Sequence, residues 1–169
     1  MTWTAPDVTR EPGPWTAGER ALLDWFLDFC RLTLLHKCAG LTAEQLARRS
    51  AEPSALSLLG LVRHMTEVER GWFRRGFARQ RADPPYCTAG EPDADFEDAN
   101  ARSAELDLST YQHEVELVRA AIQGHSLDEA LPGTDTSLRW IYLHMIGEYA
   151  RHNGHADLLR ERIDGARGQ

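Results

Sequence analysis

Cysteine is scarce in this chain, at three residues among 169. Three thiols make no disulfide framework. Cys30 and Cys38 fall eight positions apart on one predicted helix, about 12 Å along its axis and too far to bridge. Free thiols of this kind fit the reducing cytoplasm, the expected location. Long apolar runs are missing too. No stretch approaches membrane-spanning length, and the polar leader over residues 1–11 has no signal-type apolar core, so no membrane partner is expected. Positive charge is short: 19 Lys and Arg stand against 26 Asp and Glu, a formal net charge of -7, with the basic residues scattered. That balance argues against a nucleic-acid partner, whose phosphates need clustered cations. No alternating run calls for a sheet, and there is no internal repeat or low-complexity tract.

What is present is helical periodicity. Thr16 and Glu19 have capping-box spacing ahead of an amphipathic run with Leu22, Leu23, Trp25, Phe26, Phe29, Cys30 and Leu35, which stops near Gly40. Thr42 and Gln45 form a second box, opening a short helix to about Arg49. Ser57 starts a third helix through Leu61, Met65, Val68 and Phe73 that fades by Arg79. Ser109 and Gln112 open another, ending at Gly124, and Ser137 begins the last, ending at Gly165. The pattern predicts an all-α fold, a four-helix bundle in one domain over 1–169, with an extended leader over 1–15. Residues 80–107, rich in Pro and Gly with carboxylates from Glu91 to Asp98, read as a long crossover loop between the second and third long helices. A connection of that length carries function, such as a lid or a subunit contact, or hides short helical turns. It is long enough to clasp a neighbouring copy, so a homodimer is compatible with it.

The last helix holds the chemistry. His144, Glu148 and His152 are spaced by four and climb one face, and His155 falls back close to Glu148 in projection. The same face carries Ile141, Met145, Ala156 and Leu159, so imidazoles and a carboxylate point where the helix is buried. Such groups need a partner, and a divalent metal satisfies both types at once. On the third helix His64 lies at the edge of the stripe of Leu58, Leu61, Met65 and Val68. Gly60 and Gly71 share that edge; helical glycine costs up to about 1 kcal/mol relative to Ala, so close helix approach or room for a ligand is the reason to look for.

Two segments carry a resemblance, Leu56-Ser-Leu-Leu-Gly-Leu-Val-Arg-His64 and Glu148-Tyr-Ala-Arg-His-Asn-Gly-His-Ala-Asp157. In them the chain resembles the DinB-like superfamily of four-helix-bundle metalloproteins, which includes mycothiol-dependent maleylpyruvate isomerases and bacillithiol transferases, and is similar to an actinobacterial branch of it. The resemblance implies one metal-binding His on the second bundle helix and two ligands four apart on the last, which here are His64, Glu148 and His152. Many relatives have His at the position of Glu148, whereas the isomerases have Glu. Relatives often read His-x-Gly-Gln where this chain has His152-Asn-Gly-His155, which places His155 in the outer sphere or the substrate pocket rather than among the ligands. His144 and Arg151 are expected in the same surroundings.

Residue chemistry gives the same set independent support. An i,i+4 pair presents two donors to one point, and a third from a facing helix fixes an ion while leaving open positions. Zn²⁺ leads, but Ni²⁺, Fe²⁺ and Mn²⁺ accept these donors. The implied activity is a metal-dependent thiol S-transferase or isomerase. A low-molecular-weight thiol of the mycothiol type is the co-substrate, and it attacks a small electrophile. The alternatives are a hydrolase acting through metal-held water and a non-catalytic metal- or small-molecule-binding bundle. Plainer readings accompany each feature. Glu148 and His152 can be an ordinary ion pair, and Arg63 and Arg151 can bond to Glu67, Glu69 or Glu148. Trp25, Trp72, Phe73 and Trp140 read as core, the acidic run as a solvated loop, and Cys87 as a thiol with nothing nearby to activate it.

Overall fold

The computed structural model describes residues 2–168 and is all-helical, with no strand among them beyond two isolated bridges. Six α-helices follow in order: α1 (Glu19–Cys38), α2 (Ala43–Ala47), α3 (Leu58–Glu69), α4 (Ala94–Glu97), α5 (Ala104–Ile122) and α6 (Leu138–Asp164). α1 packs along α6 and α3 along α5, and α3 also packs on α6. Leu27, Leu34, Leu58, Leu61, Met65, Val118, Ile141 and Met145 are buried between them. Each large apolar side chain removed from water contributes about 1.5–3 kcal/mol, which is what holds the helices together.

Local chemistry explains three of the helix starts and the end of α6. The Thr42 hydroxyl accepts from the Gln45 amide while the Gln45 side chain accepts from the Thr42 amide, a complete capping box. Ser57 caps α3 through the Gly60 amide, and Ser137 caps α6 through the Trp140 amide. α6 stops at Gly165, whose φ of 81° is the left-handed conformation glycine tolerates best.

Two expected starts differ. α1 begins at Glu19 behind Gly18, without a side-chain cap; the Thr16–Glu19 box does not form, and Glu19 instead bonds to Arg139 of α6. α5 begins at Ala104, five residues before Ser109, whose hydroxyl bonds back to the Leu106 carbonyl inside the helix. The leader is docked rather than loose: Ala5 is buried and exchanges backbone hydrogen bonds with Gly40 and Leu41.

α3 runs on without a break into a π-helical stretch, Arg70–Phe77. There Phe73 and Phe77 enter the core, while Arg70 and Arg74 converge on the buried carboxylate of Glu114 in α5. The 80–107 segment is not a bare loop. It contains α4, a 3₁₀ turn over Ala101–Ser103 and the first turn of α5, and α4 lies on α3.

Candidate metal centre

His64 of α3 and the pair Glu148 and His152 of α6 meet where these helices face each other. One donor atom from each lies within 4.8 Å of the others. The helical step explains the α6 half: residues four apart project to nearly the same direction, and the Glu148 Oε2 to His152 Nε2 separation is 3.6 Å. Ser57 fixes the start of α3, and the buried Leu58, Leu61 and Met65 fix its rotation, which sends His64 toward α6. The His64 and His152 ring centres are 4.8 Å apart, tilted edge to face.

His64 Nδ1 lies 2.8 Å from Asp95 Oδ2 on α4, and the ring of Phe96 stacks on the imidazole at 4.8 Å. His152 is buried, and its Nδ1 has no hydrogen-bond partner; neither has the buried Nδ1 of His155, whose ring stands 5.5 Å from that of His152. Burial first, and the neighbouring His64 second, push the His152 pKa down to about 4, with Glu148 opposing. The ring is therefore neutral at pH 7, the form in which imidazole offers a lone pair. Two imidazole nitrogens and a carboxylate oxygen within 4.8 Å of one another, with buried nitrogens left unpaired around them, fit a divalent cation.

The other expected residues divide. Arg151 is exposed and bonds to Glu148 Oε1 at 2.9 Å, leaving Oε2 toward His152. His144 stacks on Trp140 at 4.9 Å and packs against Trp72 at 4.7 Å, one turn from Glu148. Trp140 is 47 % exposed, so it is not core; together with Trp72 and His144 it forms an aromatic wall on the line of α6 that carries the donors. Phe73 is buried as expected, while Trp25 and Trp72 are half-buried.

Arg63 does not pair with Glu67, Glu69 or Glu148. It is buried and donates to the Asp95 and Ala94 carbonyls and to Asp107. Gly60 answers the question of close approach. A Cβ there would stand 3.1 Å from Phe96, so it makes room for α4, whereas Gly71 faces open space.

Asp95 is a further residue of the site that local pattern does not single out. It sits in the acidic run expected to be a solvated loop, yet it is only 4 % exposed. The one signal was Phe96, an aromatic ring inside a stretch of carboxylates. Cys87 also comes close to Asp95; burial, with the carboxylates of Asp95 and Glu67, pushes its thiol up, as expected for an unactivated cysteine. A cleft of about 700 Å³ opens elsewhere, beside α1 and the end of α5, but there Arg20 is paired with Asp24 and Arg119 with Asp28.

Among curated proteins none matches the sequence. Residues 22–165 match the family model described as mycothiol-S-transferase. That span runs from α1 to the end of α6 and takes in His64, Asp95, Glu148 and His152, so the chain belongs to the mycothiol-S-transferase family, a DinB-like family.

Proposed function

We propose that the chain is a divalent-cation-dependent transferase that uses mycothiol, a low-molecular-weight thiol, as its nucleophile. His64, Glu148 and His152 hold the cation in this reading, with Zn²⁺ the first choice of ion. The observation that carries it is the convergence of these three donors from two helices to within 4.8 Å of one another. When bound, such a cation supplies a Lewis acid that favours the thiolate over the thiol, and the thiolate is the reactive nucleophile.

The surrounding side chains divide the remaining work. Phe96 covers one face of His64 and keeps water from that side. Arg151, exposed at the rim, offers a cation to an acidic group of thiol or acceptor while holding one oxygen of Glu148. The wall of Trp72, Trp140 and His144 offers an apolar surface to the electrophile one to two turns from Glu148. Sulfur forms a bond to the electrophilic carbon as the bond from that carbon to its leaving group breaks; the leaving group takes the electron pair, and the thiol proton goes to solvent or to that group.

The test is a cobalt-substituted protein titrated with mycothiol. A near-ultraviolet charge-transfer band that saturates at one equivalent supports the reading. Stoichiometric cobalt with no thiol response would leave hydrolysis or simple binding as the function.

A further inference from the structure

Four residues of α3 grip the segment that precedes α5. Gly60, Arg63, His64 and Glu67 follow the i, i+3, i+4, i+7 spacing of one helical face. Gly60 admits Phe96, and Arg63 donates Nε to the Asp95 carbonyl at 2.9 Å and Nη2 to the Ala94 carbonyl at 2.8 Å. Glu67 Oε1 accepts the Tyr86 and Cys87 amides at 2.7 and 2.8 Å. The Arg63 guanidinium also lies 4.0 Å over the ring of Tyr86.

Within this grip the Asp95 carboxylate faces His64, with the Cys87 thiol beside it. Arg63, the nearest strong donor, spends its bonds on backbone carbonyls and on Asp107. One Asp95 oxygen accepts the Phe96 amide at 2.9 Å, and the other meets His64 Nδ1 at 2.8 Å. A carboxylate oxygen accepts from a ring N–H, so this contact sets a hydrogen on Nδ1 and leaves Nε2 to a cation. Histidines that ligate metals are commonly oriented in this way, by a carboxylate on the nitrogen that does not bind.

We propose that Asp95 is the positioning residue of the cation site: it fixes the tautomer and ring orientation of His64, and so couples cation binding to the docking of residues 86–96 on α3. The inference rests on the reading of His64, Glu148 and His152 as ligands. Coupling is reciprocal, so whatever factor the docked segment adds to cation affinity, the cation adds to docking. Cys87, half-buried in that segment, reports docking, because Cys30 and Cys38 are buried.

The experiment uses the full chain with Zn²⁺ alone. Zn²⁺ affinity is measured by competition with a chromophoric chelator for the parent protein, Asp95→Ala and Asp95→Asn, and Cys87 alkylation by iodoacetamide is timed with and without Zn²⁺. Asp95→Ala is expected to weaken Zn²⁺ binding about 10–100-fold, the usual cost of losing such an outer partner. Asp95→Asn keeps an acceptor for Nδ1–H and should fall between. Zn²⁺ should slow Cys87 alkylation in the parent protein and not in Asp95→Ala. Equal Zn²⁺ affinity in the parent and Asp95→Ala overturns the proposal, as does undiminished Zn²⁺ protection of Cys87 in that variant. Nitrogen NMR of His64 in the unmutated, metal-free protein tests the same point without a variant that must fold: Nδ1–H is expected, and Nε2–H overturns it. A parent protein that takes up no Zn²⁺ sinks the ligand reading itself, an outcome distinct from the loss of Asp95's role alone.

Discussion

Two polar clusters lie back to back on α6, one residue apart in sequence, and they are built differently. Tyr149 turns into the core, where its hydroxyl donates to Glu69 Oε1 at 2.8 Å and meets the Tyr111 hydroxyl at 2.8 Å. Glu69 in turn takes two bonds from Arg31, at 2.7 and 2.6 Å, and Arg31 reaches Asp28 at 2.9 Å. All four core members are buried, and burial raises the Tyr149 and Tyr111 pKa values. Glu148, next to Tyr149, turns toward His64 and His152, where a 3.6 Å gap separates carboxylate from ring and buried nitrogens lack partners. The first cluster pairs its polar atoms within the protein, and the second leaves the Nδ1 atoms of His152 and His155 without a partner. Buried polar groups are nearly always satisfied, so the contrast supports reading the first as a structural network and the second as the proposed cation site.

The comparison can be broken from either side. Glu69→Ala should cost the most stability, about 3–5 kcal/mol, because it leaves the buried Arg31 charge with Asp28 alone and strips the Tyr149 hydroxyl of its acceptor; urea unfolding of the metal-free protein measures it. His152→Ala should do the reverse. Cation affinity should fall by more than the about 100-fold that an outer-sphere change costs, with helix content by circular dichroism nearly unchanged.

Acid sharpens the difference. The folded His152 pKa of about 4 lies below its ordinary value. As pH falls through the window from about 6.5 to 4 the unfolded chain takes up the proton first. Metal-free stability should therefore drop across that window by of order 2–3 kcal/mol from this residue and level off below it. His152→Ala should remove that part of the dependence.

Smaller effects follow. Tyr111→Phe removes one hydroxyl from the end of the core network and should cost about 1 kcal/mol in the same unfolding assay. Arg151→Ala breaks an exposed pair with Glu148 and should change stability by less than about 1 kcal/mol.

The helices and the Glu148–His152 pairing were legible in the sequence because both rest on local rules, whereas His64, on another helix, was tied to that pair by the family resemblance. Periodicity sets the buried face of α6, and the four-residue step brings Glu148 and His152 together whatever the tertiary structure. Ser57, Ser137 and Gly165 mark ends by chemistry within a turn. The partnership of Arg31 with Glu69 spans 38 residues and that of His64 with Asp95 spans 31. No spacing rule announces contacts that depend on how helices are laid against one another. The same limit hid α4, whose four residues are held by Arg63 and Gly60 of α3 rather than by their own propensity. Thr16 is no cap because α1 starts at Glu19 behind Gly18, two positions later than the box requires, and the Glu19 side chain instead meets Arg139, 120 positions away. Trp140 lies on the α6 stripe as periodicity predicts, yet it packs on Trp72 of the π-helical stretch and on His144 at the rim and stays 47 % exposed, which depends on tertiary packing.

The most direct test is an anomalous difference map from crystals grown with Zn²⁺. One strong peak between α3 and α6 is predicted, with His64 and His152 nitrogens and a Glu148 oxygen about 2.0–2.2 Å from it. Fully occupied zinc elsewhere on the chain, with these three side chains left bare, would contradict the account.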